Sequence, residues 1–142
     1  ERLDGLQLLN CRWMKSDAHE TAREVVGLSK HYNRIVSWVV RETLVTPGHK
    51  KRQKVLAHMV KVAQALHGLR DYLSLAGVYG GLTHYSITRL KKLMAGQSEA
   101  DRAVMERFTS LFDPLSNNKN YRREWETVSR DRPAVPYIAI HL

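Results

Sequence analysis

Seven histidines, one cysteine and a short run of cations are the residues of this sequence best suited to chemistry. The histidines fall at 19, 31, 49, 58, 67, 84 and 141. No two are four apart, so no helical face carries the paired imidazoles that a zinc site uses. His58 and His67 are nine apart on one predicted helix, and a metal there would need ligands from elsewhere. Cys11 stands alone, which excludes an intrachain disulfide and a thiolate cluster; on an apolar segment it reads as a small core residue. Gly77 and Gly80-Gly81 lack the frame of a phosphate-cradling loop, GxxxxGK followed by Ser or Thr. They close a predicted helix rather than open one, and small residues there let helices approach closely. Ser29, Ser37 and Ser86 have no recognisable base and orienting group. The residues predict no catalytic group, no metal and no cofactor. They predict a scaffold that binds something.

What it binds is constrained by charge. Lys and Arg number 23 against 14 Asp and Glu, a formal charge of +9. The cations are spread along the whole chain, with one dense block, HKKRQK, at His49–Lys54. That block reads as a solvated first helical turn; the alternative is an anionic membrane patch through Lys50, Lys51, Arg52 and Lys54. Aromatic residues do not alternate with the basic ones as on a base-stacking platform, so nucleic acid is not the expected partner. The hydrophobic fraction of 43% suits a globular chain, and no apolar run approaches the roughly 18 residues of a membrane span. At 142 residues the chain is one domain or a piece of a larger one. Glu1–Gln7 is charged and no apolar leader follows; with a single cysteine, a cytoplasmic setting is expected.

The elements that must position these residues are helices. Leu3, Leu6, Leu9 and Trp13 define one face of a helix over Arg2–Met14. Asp17 with Glu20 has the form of a capping box. Val25, Leu28, Tyr32, Ile35, Val36, Val39 and Val40 form the stripe of a long helix within Ala18–Leu44, with Gly27 a predicted break. Thr46-Pro47 is predicted to open a third helix, with Thr46 as N-cap, ending at Gly68. Asp71 caps a fourth, predicted to end at Gly80-Gly81. Ser86–Met94 is a fifth. Ser98 caps a sixth, with Val104, Phe108 and Leu111 on its apolar face. Asn117 caps a seventh, which the Asp131-Arg132-Pro133 stop ends. Pro133–Leu142 is read as extended. No period-two strand is present, so the fold class is all-α, an irregular multi-helix array of about seven helices.

Three stretches, in order and at matching separations, carry a family likeness: HYNRIVSWVVRETL at His31–Leu44, VAQALHGLRDYLSLAGVYGGLTHYSITRLKKL from Val62, and DPLSNNKNYRREW followed by PAVPYIAIHL at the C-terminal end. Together they resemble the catalytic domain of Ras-family guanine nucleotide exchange factors, the RasGEF domain, over most of residues 28–142. The resemblance implies an all-helical domain whose partner is a Ras-like small GTPase of the Ras, Rap or Ral group. Such a factor breaks no covalent bond; it binds the nucleotide-free GTPase best and so speeds nucleotide release. In the family the domain centre grips switch 2 of the GTPase, and a helical hairpin pries switch 1 away. By position, the gripping residues here are Ser29, Lys30, Tyr32 and Asn33, with Ala76, Gly80, Thr83, His84 and Tyr85. Arg89, Leu90, Tyr121, Arg122, Pro133 and Pro136 read as fold-holding.

The chain also departs from the family's pattern. Thr83 stands where Asn is usual, Ala76 where a larger apolar residue is common, Leu73 where Asn is usual, and Asn118 where an aromatic is common. The family's hairpin would lie beyond Leu142, so residues 1–142 are expected to be an incomplete RasGEF-type domain that is inactive alone, cytoplasmic, and recruited at most to the inner membrane face. Two other readings stay open. One is a catalytically dead copy that serves as a protein-binding scaffold. The other is a basic helical module for nucleic acid or acidic lipid.

Overall fold

In a computed structural model, which describes residues 5–128 and 132–142, the array is built around one helix that is buried on nearly every side. That helix is α4, Tyr72–Leu82, in which Tyr72, Leu73, Leu75, Ala76, Gly77, Val78, Gly81 and Leu82 are all buried. Its sequence has almost no polar face, and such a helix is stable only when neighbours surround it. α2 (Arg23–Val45) and α3 (His49–Gly68) flank it. α7 (Glu99–Leu111) and α8 (Lys119–Thr127) pack beyond α3. Of three one-turn helices, α1 (Ala18–Thr21) leads into α2, while α5 (Tyr85–Thr88) and α6 (Lys91–Ala95) connect α4 to α7. Among the described residues there is no strand, only one parallel bridge, Asp71 to Val135, which ties the C-terminal tail to the start of α4. The all-α class is as expected.

Three glycines set how closely α2 and α4 meet. A Cβ on Gly81 would stand 2.6 Å from Val39 Cβ, and one on Gly77 would stand 2.9 Å from Ile35 Cβ. Gly80, beside them, faces Tyr32. Bare backbone at these positions lets α2 seat Ile35, Val36 and Val39 directly on α4. This is why the glycines do not end the helix, as the sequence reading expected: α4 continues to Leu82.

Local capping chemistry agrees with expectation at two helices. Asp71 Oδ1 accepts from the Ser74 amide at 3.0 Å. Ser98 Oγ accepts from the Asp101 amide at 3.0 Å and donates to Asp101 Oδ2 at 2.7 Å.

Elsewhere tertiary packing overrides the local pattern. Gly5–Met14 is a 3-10 helix, not an α-helix, and Asn10 and Cys11 have φ of 54° and 50°. Its expected apolar face does not form as read: Leu6 is exposed, Trp13 is half-buried, and Leu3 lies outside the described residues. Cys11 is exposed rather than a core residue. Asp17 has φ −91° and ψ 14°, short of the extended geometry an N-cap needs, and its side chain caps nothing. α2 runs unbroken through Gly27, and the kink falls at buried Ala22 (φ −140°, ψ 42°). Gln7 supplies the cap there, its Oε1 accepting from the Glu24 amide at 3.1 Å while its amide nitrogen donates to the Glu24 carboxylate.

Thr46 closes α2 instead of opening α3; its hydroxyl donates to the Glu42 carbonyl at 2.7 Å, and Gly48, at φ 83°, takes the N-cap place. The predicted helix Ser86–Met94 is two, α5 and α6, parted at Arg89-Leu90. Asn118, not Asn117, precedes α8, and both asparagines are left-handed, a conformation that Asn tolerates better than most residues. α8 ends at Thr127. Of its predicted stop, Asp131 lies outside the described residues. The tail is extended only in its first half; Ile138–Ile140 is a 3-10 turn.

Candidate partner-binding cleft

Four of the nine candidate residues come together. Tyr32 from α2 and Ala76, Gly80 and Thr83 from α4 line one side of a cleft of about 560 Å³. Its far side is made by Phe112, the turn Pro114–Asn118, and the tail residues Tyr137, Ala139, Ile140 and Leu142. Tyr32 stacks on Tyr137 with ring centroids 5.6 Å apart and planes 16° from parallel. Phe112 meets Tyr137 edge-on at 5.9 Å. The floor is therefore aromatic, the rim carries Thr83 and two asparagines, and the small side chains of Ala76 and Gly80 keep the cleft open.

The other five candidates spread around this cleft. Ser29 and Asn33 join Tyr32 and Leu73 around a smaller cavity of about 90 Å³ on the other side of Tyr137. The Ser29 hydroxyl donates to the Val25 carbonyl at 3.2 Å. Lys30 points to an outer groove of α2, together with Arg34, Trp38 and Arg41. His84 and Tyr85 lie outside the cleft. His84 Nδ1 accepts from the Ser86 amide at 3.2 Å, so His84, and not Thr83, caps α5. Tyr85 projects into solvent with 74% of its surface exposed. Thr83 is the C-cap of α4, and its hydroxyl donates to the Tyr79 carbonyl at 2.9 Å. Its oxygen lone pairs stay available, but its proton is committed to its own helix.

Sequence reasoning missed the aromatic wall. Phe112 and Tyr137 reach the cleft from segments far along the chain, and no local spacing announces that meeting. Residues read as fold-holding do hold it: Arg122 donates to the Ile140 carbonyl at 2.7 Å and to the Asn117 carbonyl at 3.2 Å, pinning the tail to the turn that rims the cleft. Buried Tyr121 accepts from the Tyr137 amide at 3.0 Å and pairs with His141 Nε2 at 2.9 Å. Arg89 is exposed and Leu90 is half-buried.

Electrostatically the wall is neutral. Burial, with the Tyr32 hydroxyl beside it, pushes the Tyr137 phenol up to about 12. Burial raises Tyr121 to about 12 despite the opposing Tyr137 amide and Arg122 charge. Burial and the nearby Arg122 guanidinium lower the His141 imidazole below its usual value. At neutral pH the aromatic wall is thus uncharged, and the Arg122 guanidinium is the charged group lining the cleft. Among the described residues no three His, Cys, Asp or Glu side chains converge as metal ligands. Among the described residues no helix is long and apolar enough to cross a membrane. The arrangement is suited to receiving part of another protein.

The sequence profile of the RasGEF domain matches residues 1–142, the whole chain. The chain belongs to the RasGEF domain family. It is 33% identical over 138 residues to the mouse Ras-specific guanine nucleotide-releasing factor RalGPS1, covering 96% of this chain and 23% of that protein. It is 32% identical over 141 residues to Ras guanine nucleotide exchange factor V of Dictyostelium discoideum, covering 99% of this chain and 7% of that protein. To mouse RAS guanyl-releasing protein 4 it is 35% identical over 117 residues, 82% of this chain and 17% of the relative. This RasGEF chain therefore spans less than a quarter of the length of these relatives. Its cleft lies where the α2 and α4 segments of the family likeness meet.

Proposed function

We propose that this RasGEF domain serves a guanine nucleotide exchange factor, cytoplasmic and acting on a Ras-like small GTPase of the Ras, Rap or Ral group. The observation that carries the reading is the RasGEF match along all 142 residues. It is supported by a cleft in which Tyr32, Ala76, Gly80 and Thr83 face one space. The cleft grips switch 2, with Ser29, Lys30 and Asn33 contributing from α2 and His84 and Tyr85 from the turn after α4. No covalent bond is made or broken. A surface that fits the nucleotide-free GTPase better than the loaded one lowers the barrier to release by differential binding. The grip alone does not displace switch 1, so residues 1–142 bind the GTPase without speeding release.

One observation favours the second reading, a scaffold that binds without exchanging. The Thr83 proton is held by the Tyr79 carbonyl, so this rim position offers a partner no free donor, where the amide of the family pattern would offer two. The deciding experiment loads Ras, Rap and Ral GTPases with a fluorescent guanine nucleotide and follows release in excess unlabelled GTP. Accelerated release from one of them by the chain extended through the family's helical hairpin, with residues 1–142 retaining only affinity for the nucleotide-free form, is the expected result. Intrinsic release rates with all three GTPases would overturn the exchange reading for this group.

A further inference from the structure

We propose that the outward face of α2 is a docking surface for an anionic membrane, adjoining the proposed switch 2 grip at Lys30 and Asn33 and running on from it through Arg34, Trp38 and Arg41. Arg23, Lys30, Arg34 and Arg41 occupy positions i, i+7, i+11 and i+18 of this 23-residue helix. At 3.6 residues per turn these four fall within an arc of about 40° and extend over about 27 Å. All four are exposed, and Val39, buried against α4, lies on the opposite side of the helix. The two carboxylates of α2, Glu24 and Glu42, fall outside that arc. The solvent face of an amphipathic helix ordinarily mixes charges of both signs. This one carries a single sign, and among the described residues none of its four cations has an ion-pair partner.

A second feature sits on the same side. Trp38 is 45% exposed and lines an open groove of about 460 Å³ with Lys30, Arg34 and Arg41. An indole flanked by guanidinium groups suits the headgroup level of a bilayer, where aromatic rings settle and anionic lipid attracts Lys and Arg. The row runs along one face of a single helix, which a lipid surface can meet along its whole length, and a single indole is no base-stacking series. Charge complementarity therefore selects anionic lipid as the occupant. At the C-terminal end of the stripe, Arg52 donates to the carbonyls of Leu44 at 3.1 Å and Thr46 at 3.2 Å. That arginine is occupied in closing α2, so the HKKRQK block is a weaker candidate for lipid than its composition suggests.

The test mixes the chain with sedimentable vesicles of phosphatidylcholine alone or of phosphatidylcholine with phosphatidylserine. Binding is expected only to the anionic vesicles and is expected to fall steeply with added salt. Arg34→Glu combined with Arg41→Glu should weaken partitioning roughly tenfold or more, with helical circular dichroism unchanged. The milder pair Arg34→Gln and Arg41→Gln should give an intermediate loss. Quenching of tryptophan fluorescence by brominated lipid should drop in Trp38→Phe. Equal binding to neutral vesicles, no binding to either kind, or full binding by the charge-reversed pair would overturn the proposal. So would loss of binding only when Lys50, Lys51 and Lys54 are reversed, or displacement from vesicles by an RNA oligomer at equal phosphate concentration. No GTPase enters this assay, so its failure leaves the exchange reading standing.

Discussion

Gly80 and Tyr32 are in direct opposition: a Cβ on Gly80 would stand 2.7 Å from the Tyr32 hydroxyl oxygen. The neighbouring Gly81 opposes the backbone-proximal Cβ of Val39 at 2.6 Å. One glycine thus sets the position of a cleft side chain, and the next sets the spacing of two helices. The two substitutions to alanine should separate accordingly. In Gly80→Ala the phenol end of Tyr32 can swing aside, so melting changes little, while affinity for the nucleotide-free GTPase falls. In Gly81→Ala the Val39 branch point has nowhere to go, and the overpacked seam should cost about 1–3 kcal/mol. Paired melting and binding measurements check this; equal loss of stability in both variants would remove Tyr32 positioning from the argument.

Thr83 yields a prediction about affinity. Its proton is held by Tyr79, so Thr83→Val should lower stability by no more than about 1 kcal/mol and leave partner binding nearly intact. Thr83→Asn introduces the amide that the family resemblance leads one to expect at this place. One added hydrogen bond is worth about 1 kcal/mol, so binding of the nucleotide-free GTPase should tighten about fivefold. An isothermal titration with both variants reads this directly, and no gain from Asn would place the partner away from this rim.

The parts of the fold legible in the sequence were those decided by near neighbours along the chain. Asp71 and Ser98 cap because the acceptor and the amide it serves are three residues apart. The burial of α4 was legible because its residues are apolar on every side. Thr46 and Gly80-Gly81 misled because local chemistry allows either role. Thr46 could cap a following helix or close a preceding one, and the Glu42 carbonyl was within its reach. Glycine ends helices in isolation, but here the demand for bare backbone against Ile35 and Val39 outweighed its low propensity. The near side of the cleft was legible through family likeness. The far side depends on Tyr137 meeting Tyr32 across more than a hundred residues, and no period or cap encodes that.

The buried tyrosines predict an alkaline limit. Tyr121 and Tyr137 are raised to about 12, and Tyr72 is raised further by burial and its hydrogen bond to Glu124. Between pH 10 and 12 the unfolded chain gives up phenol protons that the folded chain keeps. The unfolded state binds fewer protons there, so stability falls as pH rises above about 10. Denaturant midpoints measured from pH 9 to 11.5 should decline, and Tyr121→Phe should shallow that decline. The same variant leaves the Tyr137 amide without its acceptor, which should cost about 1–3 kcal/mol at neutral pH. A slope unchanged in Tyr121→Phe would mean that its phenol ionises freely in the folded protein.

The acid side turns on His141. Burial first, and then the Arg122 charge, lower its imidazole below the ordinary value, and its Nε2 pairs with the Tyr121 hydroxyl at 2.9 Å. With Tyr121 accepting from the Tyr137 amide, the hydroxyl proton points to a neutral His141, which accepts it. As pH drops below about 6.5, the unfolded chain takes up a proton that the folded chain refuses, so this residue's contribution to stability declines with acid until the folded imidazole also titrates. The loss should be local, because His141 anchors only the final turn, where its amide donates to Ile138 at 2.8 Å. Hydrogen exchange at the amides of Ile140 and His141 should quicken between pH 7 and pH 5, after correction for intrinsic rates. His141→Gln keeps an acceptor without a titrating ring, so the corrected rates there should lose their pH dependence. Retention of that dependence in His141→Gln would assign the acid sensitivity of the tail to another group.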